Sequence, residues 1–367
     1  MATPFHVIVD DALENRPRGL AGPARGLISA MLATRPAGIH VVGFVSSSPE
    51  SDYAELDALF PHLARLQKSA LTHAQLVAIW QHGFTSSLGG MVHSPSLFAP
   101  LSGRGDQTVV TAYDAIAWLD PETVVGSATW FRNMGKRADR HAAAVVVPSH
   151  ATADAFAELG MFTDRMRVIP GGPTPGLVVP ENAPALRTGL GLPGDYVASA
   201  ATLNPRTGLR ELLRAVATLD VPLVLLSDPA WNGESLDIAL EETGVDRSRV
   251  RVVVPRSAGE RAAVVAGARL FVEPSRLEGF GVAALDAMTL GVPLVTTDDP
   301  ALVELAVDAA RFVERGDDLA EALRTSIEEL LTDDDAAARL RVAGQDRARA
   351  FSWRDAAERV WQLHADI

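Results

Sequence analysis

Short apolar segments rich in valine and isoleucine recur along this chain and alternate with longer segments whose apolar residues have helical spacing. A near-continuous apolar strand is buried on both faces, and such strands alternating with helices are typical of parallel sheets covered on both sides. The pattern therefore predicts the α/β class, with doubly wound, Rossmann-like sheets.

The predicted strands form two groups. In the first half they are Phe5–Val9, Ile39–Phe44, Met91–His93, Val109–Thr111, Ala144–Val147 and Val168–Ile169. In the second half they are Tyr196–Ala200, Leu223–Leu226, Arg251–Val254, Leu270–Val272 and Leu294–Thr296. The predicted helices include Ala24–Ala33, Ala151–Leu159, Leu209–Leu219, Gly259–Ala266, Asp317–Leu331, Asp333–Ala350 and Trp353–Ala365.

One segment, residues 171–194, interrupts this alternation and is dense in glycine and proline. Such composition is typical of a linker, and it predicts two domains of similar size, 1–180 and 181–352. Gly189, Gly191 and Gly194 match the dinucleotide fingerprint G-x-G-x-x-G. That fingerprint requires a preceding strand and a following helix, whereas these glycines precede a predicted strand. We therefore assign them to the linker.

Composition excludes several classes of function. The chain of 367 residues has no cysteine, which excludes disulfides, thiolate metal sites and a cysteine nucleophile. Residues 1–180 carry 13 basic and 15 acidic residues (net −2), and residues 181–367 carry 20 and 31 (net −11). Neither half is basic, so we expect no nucleic-acid partner. No apolar run approaches the roughly 20 residues that cross a bilayer, and we expect a cytoplasmic protein.

The segment from Pro274 to Leu305 contains the strongest candidate site. It predicts a strand end, a turn with two glycines, and a helix from about Val282 to Leu290. Glu278 lies just before that helix, where unpaired main-chain amides and the positive end of the helix dipole favour a ligand. Asp286 follows a little over one helical turn into the helix. Two acids so spaced suit hydrogen bonds to sugar and ribose hydroxyls; alternatively, Glu278 only caps the helix and Asp286 is a solvated surface acid.

The same segment, EGFGVAALDAMTLGVPLVTTDDPALVEL, resembles the signature of the retaining glycosyltransferases of family 4 (glycosyl transferases group 1), which have the GT-B fold. The resemblance extends to further segments in the same order along the chain. They are RGLAGPARGLISAM (18–31), VHSPSLFAPL (92–101), VVTAYDAIAWLDPE (109–122), VVVPSHATADAFAEL (145–159), RVIPGG (167–172), YVASAATLNPRTGLRELLRAV (196–216) and SWRDAAERVWQL (352–363).

The resemblance implies transfer of a sugar from a nucleoside-diphosphate donor to a glycan, lipid-linked or small-molecule acceptor, with retained anomeric configuration. It implies no metal and no cofactor beyond the donor substrate. The first domain would bind the acceptor and the second the donor across a cleft. The last helix, 353–367, would cross back to the first domain.

Site residues follow from the resemblance by position. The implied catalytic residues are Glu278, Asp114 and Tyr113, and the implied donor-binding residues are Arg206, Thr207, Gly279, Phe280, Gly281, Val282 and Asp286. The candidate acceptor or cleft residues are Gly19, His93, Ser94 and Ser149. Loop hydrogen bonding is the alternative for His93, helix capping is the alternative for Ser149, and Glu122 is as good a candidate base as Asp114.

The chain departs from the family pattern at three of these positions. Thr207 stands where the family usually has lysine, Tyr113 where it has histidine, and Asp286 where it has glutamate. Only two lysines exist, Lys68 and Lys136, so the second half has none to replace the missing one. The leading hypothesis is an active transferase, and the alternative is a catalytically silent relative that acts as a nucleotide-sugar sensor or as a partner subunit. A nicotinamide oxidoreductase is excluded because no glycine fingerprint follows the first strand of either domain.

A basic stretch in the first domain raises the question of membrane contact. Arg132, Lys136 and Arg140 recur every four residues, beside Trp130 and Phe131. Such a stripe is most often a solvated helix face, and its few charges are weak support for stable attachment. We expect at most peripheral contact with the inner face of the membrane.

Overall fold

The computed structural model describes residues 4–16, 20–85, 87–102, 107–228 and 230–367. The chain forms two compact units. Unit 1 contains the chain up to Pro175 together with Phe351–Ile367, and unit 2 contains Gly176–Ala350. The C-terminal segment therefore belongs to the same unit as the first 175 residues.

Unit 1 is built on a seven-stranded, all-parallel sheet. Its strands are β1 (Pro4–Ile8), β2 (His40–Ser47), β3 (Arg65–Thr72), β4 (Met91–Ser94), β5 (Gln107–Thr111), β6 (Ala144–Val147) and β7 (Met166–Val168). Their order is β3-β2-β1-β4-β5-β6-β7, so the direction of winding reverses between β1 and β4.

Unit 2 has the same topology in a six-stranded parallel sheet. Its strands are β8 (Val197–Ser199), β9 (Leu223–Leu225), β10 (Val250–Val252), β11 (Leu270–Glu273), β12 (Leu294–Thr297) and β13 (Arg311–Val313). The order β10-β9-β8-β11-β12-β13 reverses between β8 and β11. In doubly wound sheets, ligands bind beyond the carboxyl ends of the strands at such a reversal. The loops after β8 and β11 therefore lie where this kind of sheet binds a ligand.

Helices cover both sheets. Those of unit 1 are α1 (Ala21–Ala33), α2 (Glu50–Leu59), α3 (His73–Trp80), α4 (Ile116–Leu119), α5 (Ala128–His141), α6 (His150–Glu158) and α15 (Trp353–Asp366). Those of unit 2 are α7 (Ala183–Gly189), α8 (Leu209–Ala217), α9 (Leu236–Thr243), α10 (Ala258–Ala266), α11 (Val282–Thr289), α12 (Pro300–Ala306), α13 (Leu319–Thr332) and α14 (Asp334–Ala348). Short 3₁₀ turns lie at Asp10–Ala12, Pro121–Thr123, Thr163–Arg165, Pro205–Thr207 and Arg247–Arg249.

The predicted strands are present with shifts of a few residues at their ends, but two edge strands were missed. β3 reads RLQKSALT and has no buried residue, and β13 has three residues, of which one is buried. An edge strand packs on fewer neighbours than a central one, so it needs fewer apolar residues and gives little periodic signal.

Part of the segment 171–194, which the sequence predicts to be a linker, is helical. Residues 183–189 form α7, which packs on α10 within unit 2. Gly189 is the last residue of this helix, and the next strand begins only at Val197. The three glycines of the dinucleotide pattern thus join a helix to a strand, the reverse of the order that a dinucleotide loop requires.

Helix α15 completes the core of unit 1 by packing on α1. The Trp361 ring is buried against Phe5, and its indole N–H donates to the carbonyl oxygen of Met31 at 3.1 Å. Trp353 packs against Gly26 of α1, where any Cβ atom would overlap the indole ring. The small residue in α1 therefore lets the two helices approach closely.

This packing predicts opposite effects for two substitutions in α1. Gly26→Ala should lower the free energy of unfolding by about 1–3 kcal/mol, because the added methyl group must displace the indole of Trp353. Gly22→Ala, in the same helix with no atom within 4 Å of its Cβ position, should be neutral or stabilise by up to about 1 kcal/mol. Urea unfolding of both variants measures this; equal effects would contradict the packing.

Candidate active site

The loops that follow β8 and β11 are joined by their main chains. The amide of Arg276 donates to the carbonyl oxygen of Arg206 at 2.7 Å. Gly208 has φ +70°, and a Cβ atom there would overlap the carbonyl oxygen of Pro274. Only glycine permits this close approach, which brings the Arg206 loop beside the loop that carries Glu278.

Glu278 and Arg206 form an ion pair within this corner. One terminal nitrogen of Arg206, Nη1, lies 3.3 Å from Oε2 of Glu278 and donates to the carbonyl oxygen of Leu277 at 2.8 Å. The Glu278 side chain is 25% exposed and the Arg206 side chain is 18% exposed, so the pair is shielded yet reachable from solvent. The Nε atom of Arg206 is buried and has no hydrogen-bond partner. The guanidinium therefore keeps donor capacity for a further acceptor.

A second carboxyl group, that of Glu273, lies at the end of β11, close enough to this pair for both of its charges to affect the carboxyl group. The residue is 6% exposed, and Ser275 donates its hydroxyl to Oε1 at 2.6 Å. Burial, and then the charge of Glu278, raise the pKa of Glu273 to about 7, while the positive charges of Arg206 and Arg261 oppose the shift. Glu273 therefore changes its charge near neutral pH. Sequence reasoning missed it, although a carboxylate ending an apolar strand is itself a signal.

The loop after β12 supports Glu278 from the other side. The Asp299 carboxylate accepts the main-chain N–H of Glu278, caps α12 by accepting the amide of Ala301, and pairs with Arg315 at 3.1 Å. Burial raises the pKa of Asp299 to about 6. This residue, too, was absent from the predicted site, because its contact with Glu278 depends on the neighbouring positions of β11 and β12.

Helix α11 begins where the sequence predicts, but Glu278 does not cap it. The N-cap residue is Gly281, with φ +89° and no side-chain cap, and a Cβ atom there would lie 2.6 Å from Leu302. Oε1 of Glu278 instead accepts the amide of Gly279 at 3.1 Å. The capping alternative for Glu278 is therefore wrong, and the first-turn amides of α11 have no acceptor within the helix. Phe280 is buried beside them.

Asp286 is fully buried, so the surface-acid alternative is also wrong. Its Oδ2 atom accepts a hydrogen bond from Nε of Arg261 at 2.6 Å. Arg261 belongs to α10, which the sequence predicted as a helix without any site residue. Nothing in its local sequence marks it, because its contact with Asp286 depends on the packing of α10 against α11.

Thr207, an implied donor ligand, has its hydroxyl engaged inside its own loop. The hydroxyl lies 2.6 Å from the carbonyl oxygen of Thr202 and 3.0 Å from that of Asn204, and it accepts the amide of Thr202 at 3.0 Å. These contacts fix the 3₁₀ turn that carries Arg206. A lysine at this position would lose them, so Thr207 supports the loop conformation.

In unit 1, the candidate residues after β4 are buried. His93 is fully buried, and its Nδ1 lies 3.3 Å from Nε2 of His364 on α15 rather than from a group in its own loop. Burial, and then His364, lower the pKa of His93, and burial lowers that of His364 to about 4. Ser94 donates its hydroxyl to the carbonyl oxygen of Phe98 at 2.8 Å. Both residues thus have internal partners in this state of the protein.

The remaining candidates of unit 1 that the structure describes lie in two loops, one after β5 and one after β6. Tyr113 lies near Asp11, and burial, followed by that carboxylate, raises the pKa of its hydroxyl, so the phenol is neutral at physiological pH. Asp114 accepts the amide of Ile116 at 2.9 Å. Ser149 is the N-cap of α6 and accepts the amide of Thr152, which supports the capping alternative. Gly19 lies outside the described residues.

The basic stretch on α5 is only partly exposed. Trp130 is buried and Phe131 packs on the same core cluster. Arg132 donates from Nε to the carbonyl oxygen of Ala117 at 2.6 Å, and of the predicted stripe only Lys136 and Arg140 are exposed. In the part of the chain that the structure describes, no helix is both long and apolar enough to span a bilayer.

One surface cavity of unit 1 is lined by none of the candidate site residues. A cavity of about 350 Å³ is lined by residues around Pro36–Val41, at the amino end of β2, whereas doubly wound sheets bind ligands at the carboxyl ends of their strands. Within the five described ranges, no group of three or more histidine, aspartate and glutamate side chains is arranged to hold a metal ion.

Several proteins of known function are similar to this chain in sequence. Residues 188–347, all in unit 2, match the family model of Glycosyl transferases group 1. The O-antigen chain mannosyltransferase B of Escherichia coli is 31% identical over 164 residues, which are 43% of this chain and 42% of that protein. The D-inositol 3-phosphate glycosyltransferase of Stackebrandtia nassauensis is 29% identical over 219 residues, 55% of this chain and 49% of that one. The chain spans about half the length of the curated relatives it matches.

Solved structures resemble the whole chain in fold. The Anabaena protein HepE in complex with UDP and glucose has a TM-score of 0.75 at 19% identity and covers 99% of this chain and 100% of its own. Sucrose-phosphate synthase from Thermosynechococcus elongatus has a TM-score of 0.72 at 19% identity, covering 99% and 98%. At this identity the likeness shows the fold alone. Together with the two doubly wound sheets, it confirms the predicted GT-B fold class.

The buried Glu273 carboxyl predicts a specific pH dependence of stability. Its pKa is raised from 4.5 to about 7 on folding, so its contribution to stability is fully present below pH 4.5 and is lost as pH rises towards 7. Glu273→Gln keeps the shape of the side chain but cannot ionise. The free energy of unfolding of the variant should therefore rise relative to that of the wild type by up to about 1.4 kcal/mol per pH unit between pH 4.5 and 7.

Urea unfolding at pH 5, 6, 7 and 8 measures this difference between variant and wild type. Glu241→Gln, at an exposed position of α9, is the control and should show no such trend. A wild-type-to-variant difference that stays constant from pH 5 to 8 would refute the assignment of a raised pKa to Glu273.

Proposed function

We propose that this protein is a retaining glycosyltransferase of family 4 that transfers a hexose or deoxyhexose from a nucleoside-diphosphate sugar. The acceptor is a glycan, a lipid-linked sugar or a small molecule, and unit 2 binds the donor. The observation that carries the proposal is the ion pair of Glu278 and Arg206 at the winding reversal of unit 2, before the uncapped start of α11.

Each part of that corner suits one part of a nucleotide sugar. A carboxylate accepts hydrogen bonds from sugar hydroxyls, and Glu278 is held for this by the Asp299 carboxylate on its amide and by Arg206 on its side chain. A guanidinium matches phosphate oxygens, and Arg206 has a buried, unpartnered Nε. The free amides at the start of α11 favour negative charge. The match of residues 188–347 to glycosyl transferases group 1 covers all these groups.

The chemistry that these residues support is departure of the nucleoside diphosphate. The breaking glycosidic bond leaves a growing negative charge on the diphosphate, and preorganised donors in a shielded corner stabilise that charge more strongly than water does. Arg206 and the α11 amides provide such donors. Glu278 holds the sugar while the bond breaks, and the retained configuration is implied by the family resemblance.

The names of relatives support sugar transfer in general and leave the sugar open. One is a mannosyltransferase, one acts on D-inositol 3-phosphate, and one structure holds UDP and glucose. In unit 1, Tyr113 and Asp114 remain our candidate catalytic residues, with the neutral Tyr113 hydroxyl as a hydrogen-bond donor.

A catalytically silent relative is the second candidate, because Thr207 and Asp286 depart from the family pattern and both have internal partners. A thermal-shift screen of nucleotide sugars followed by a donor-hydrolysis assay separates the two. Binding with turnover indicates the enzyme, binding without turnover a sensor, and neither a structural partner subunit.

Glu278→Gln tests the sugar-binding role. The amide keeps the size of the side chain but loses the charged acceptor, so turnover should fall about 100-fold or more. Binding of the nucleoside diphosphate should persist, because the substitution releases Arg206 from its ion pair. Steady-state kinetics and calorimetry measure both effects, with exposed Glu314→Gln as the control. Near-normal turnover in the Glu278 variant would exclude it from the donor site.

Arg206→Ala tests the phosphate-binding role. A charge-assisted contact contributes about 1.5–3 kcal/mol, so affinity for the nucleoside diphosphate should fall roughly 10- to 150-fold while affinity for the nucleoside changes little. Arg210→Ala is the matched control, since Arg210 lies four residues on and pairs with Glu234 and Glu242. If the diphosphate loses no more affinity than the nucleoside, this loop does not bind phosphate.

A further inference from the structure

Arg261 enters the corner of unit 2 from a different element than Arg206. It lies in α10, and its side chain is 18% exposed. Its Nε donates to the fully buried Asp286 at 2.6 Å. Its two terminal nitrogens make no hydrogen bond to any residue in the described ranges. Most of this cation is therefore buried with four N–H groups still available.

Both arginines act on the same buried carboxyl. The positive charges of Arg206 and Arg261 each lower the pKa of Glu273, opposing burial and the charge of Glu278, which raise it. Arg206 follows β8 on one side of β11, and Arg261 precedes β11 in α10, which packs on α11. Arg206 contacts the loop between β11 and α11 at Glu278, and Arg261 contacts α11 at Asp286.

Neutralising Asp286 does not account for the geometry of Arg261. A guanidinium whose only role is to neutralise a buried carboxylate gains most from two parallel hydrogen bonds to its two oxygens. Here a single contact through Nε is made, and the terminal nitrogens, which are the ends of the donor fork, stay free. The terminal nitrogens are not among the buried atoms of the described residues that lack a partner, so they are open to solvent and can donate to a further acceptor.

We propose that Arg261 is a second phosphate-binding cation of the donor site, which grips the diphosphate of the nucleotide sugar together with Arg206. The proposal rests on the proposed function and names a residue for its site. Unit 2 contains neither lysine nor histidine, so arginines supply all its side-chain cations. Asp286 holds Arg261 through Nε and leaves the terminal nitrogens for phosphate oxygens. Glu273, whose pKa is raised to about 7, is partly protonated at neutral pH and so adds less negative charge near the two cations than a fully ionised carboxylate would.

Calorimetry tests the role of Arg261. The probes are UDP and GDP, each compared with its nucleoside, and the quantity measured is the ratio of the two affinities. Arg261→Gln should lower this ratio at least 10-fold in the pair that the wild type binds, and Arg261→Lys should recover part of it. Arg269→Gln, at the opposite end of β11 and paired with Asp334, should leave the ratio unchanged.

Two further variants keep the test valid if Arg261→Gln does not fold. Asp286→Asn removes the negative charge beside Arg261, while its amide oxygen can still accept from Nε and keep Arg261 in place, so the ratio should rise several-fold. The double variant Arg261→Gln/Asp286→Asn removes both charges, so neither is left buried without a partner. Its ratio should fall below that of the wild type. A cation with only a structural role would give no rise in the first variant and no fall in the second.

The outcomes separate this proposal from the proposed function. If Arg206→Ala lowers the ratio and the Arg261 variants do not, the donor site stands and the role of Arg261 is refuted. If the wild type binds neither diphosphate more tightly than its nucleoside, the proposed function fails, and the role of Arg261 fails with it. A fall of the ratio in both Arg206 and Arg261 variants, with Arg269→Gln unaffected, supports the two-arginine site.

Discussion

A single main-chain hydrogen bond, from the amide of Arg276 to the carbonyl oxygen of Arg206, joins the two loops on which the candidate site depends. The bond forms only because Gly208 adopts a left-handed conformation against Pro274, where a side chain would overlap the main chain. Through it, the loop after β8 lies against the loop after β11. The ion pair of Arg206 with Glu278 joins the same two loops.

The corner of unit 2 concentrates charge in a shielded place. Carboxyl groups at Glu273, Glu278, Asp286 and Asp299 lie close to guanidinium groups, and two of them have pKa values raised by burial to about 7 and about 6. Buried charge is unfavourable unless it is paired, and proteins accept it mainly where function requires it. The carboxyl and guanidinium groups of this corner thus form a network of paired, partly buried charges.

The sequence predicts the central strands of both sheets and the loop that carries Glu278. The elements and residues that it does not predict have identifiable physical causes. Apolar runs identify the central strands, and the glycines around Glu278 identify the loop before α11. Edge strand β3 has polar, exposed residues, and so its periodicity is lost. Glu273, Asp299 and Arg261 acquire their roles from neighbours that are distant along the chain, as in the contact of Arg261 with Asp286. Such contacts depend on tertiary packing, which local patterns do not encode.

The packing of α15 on α1 has a consequence for synthesis of the chain. Domains generally fold in order as they leave the ribosome, the N-terminal one first. Here the core of unit 1 includes Ala357, Val360, Trp361 and Leu363, which are translated after the whole of unit 2. Unit 2 is contiguous and can fold while unit 1 still lacks its last helix. The nascent chain therefore completes its second unit before its first, and until then the surface of α1 that Trp353 covers stays open.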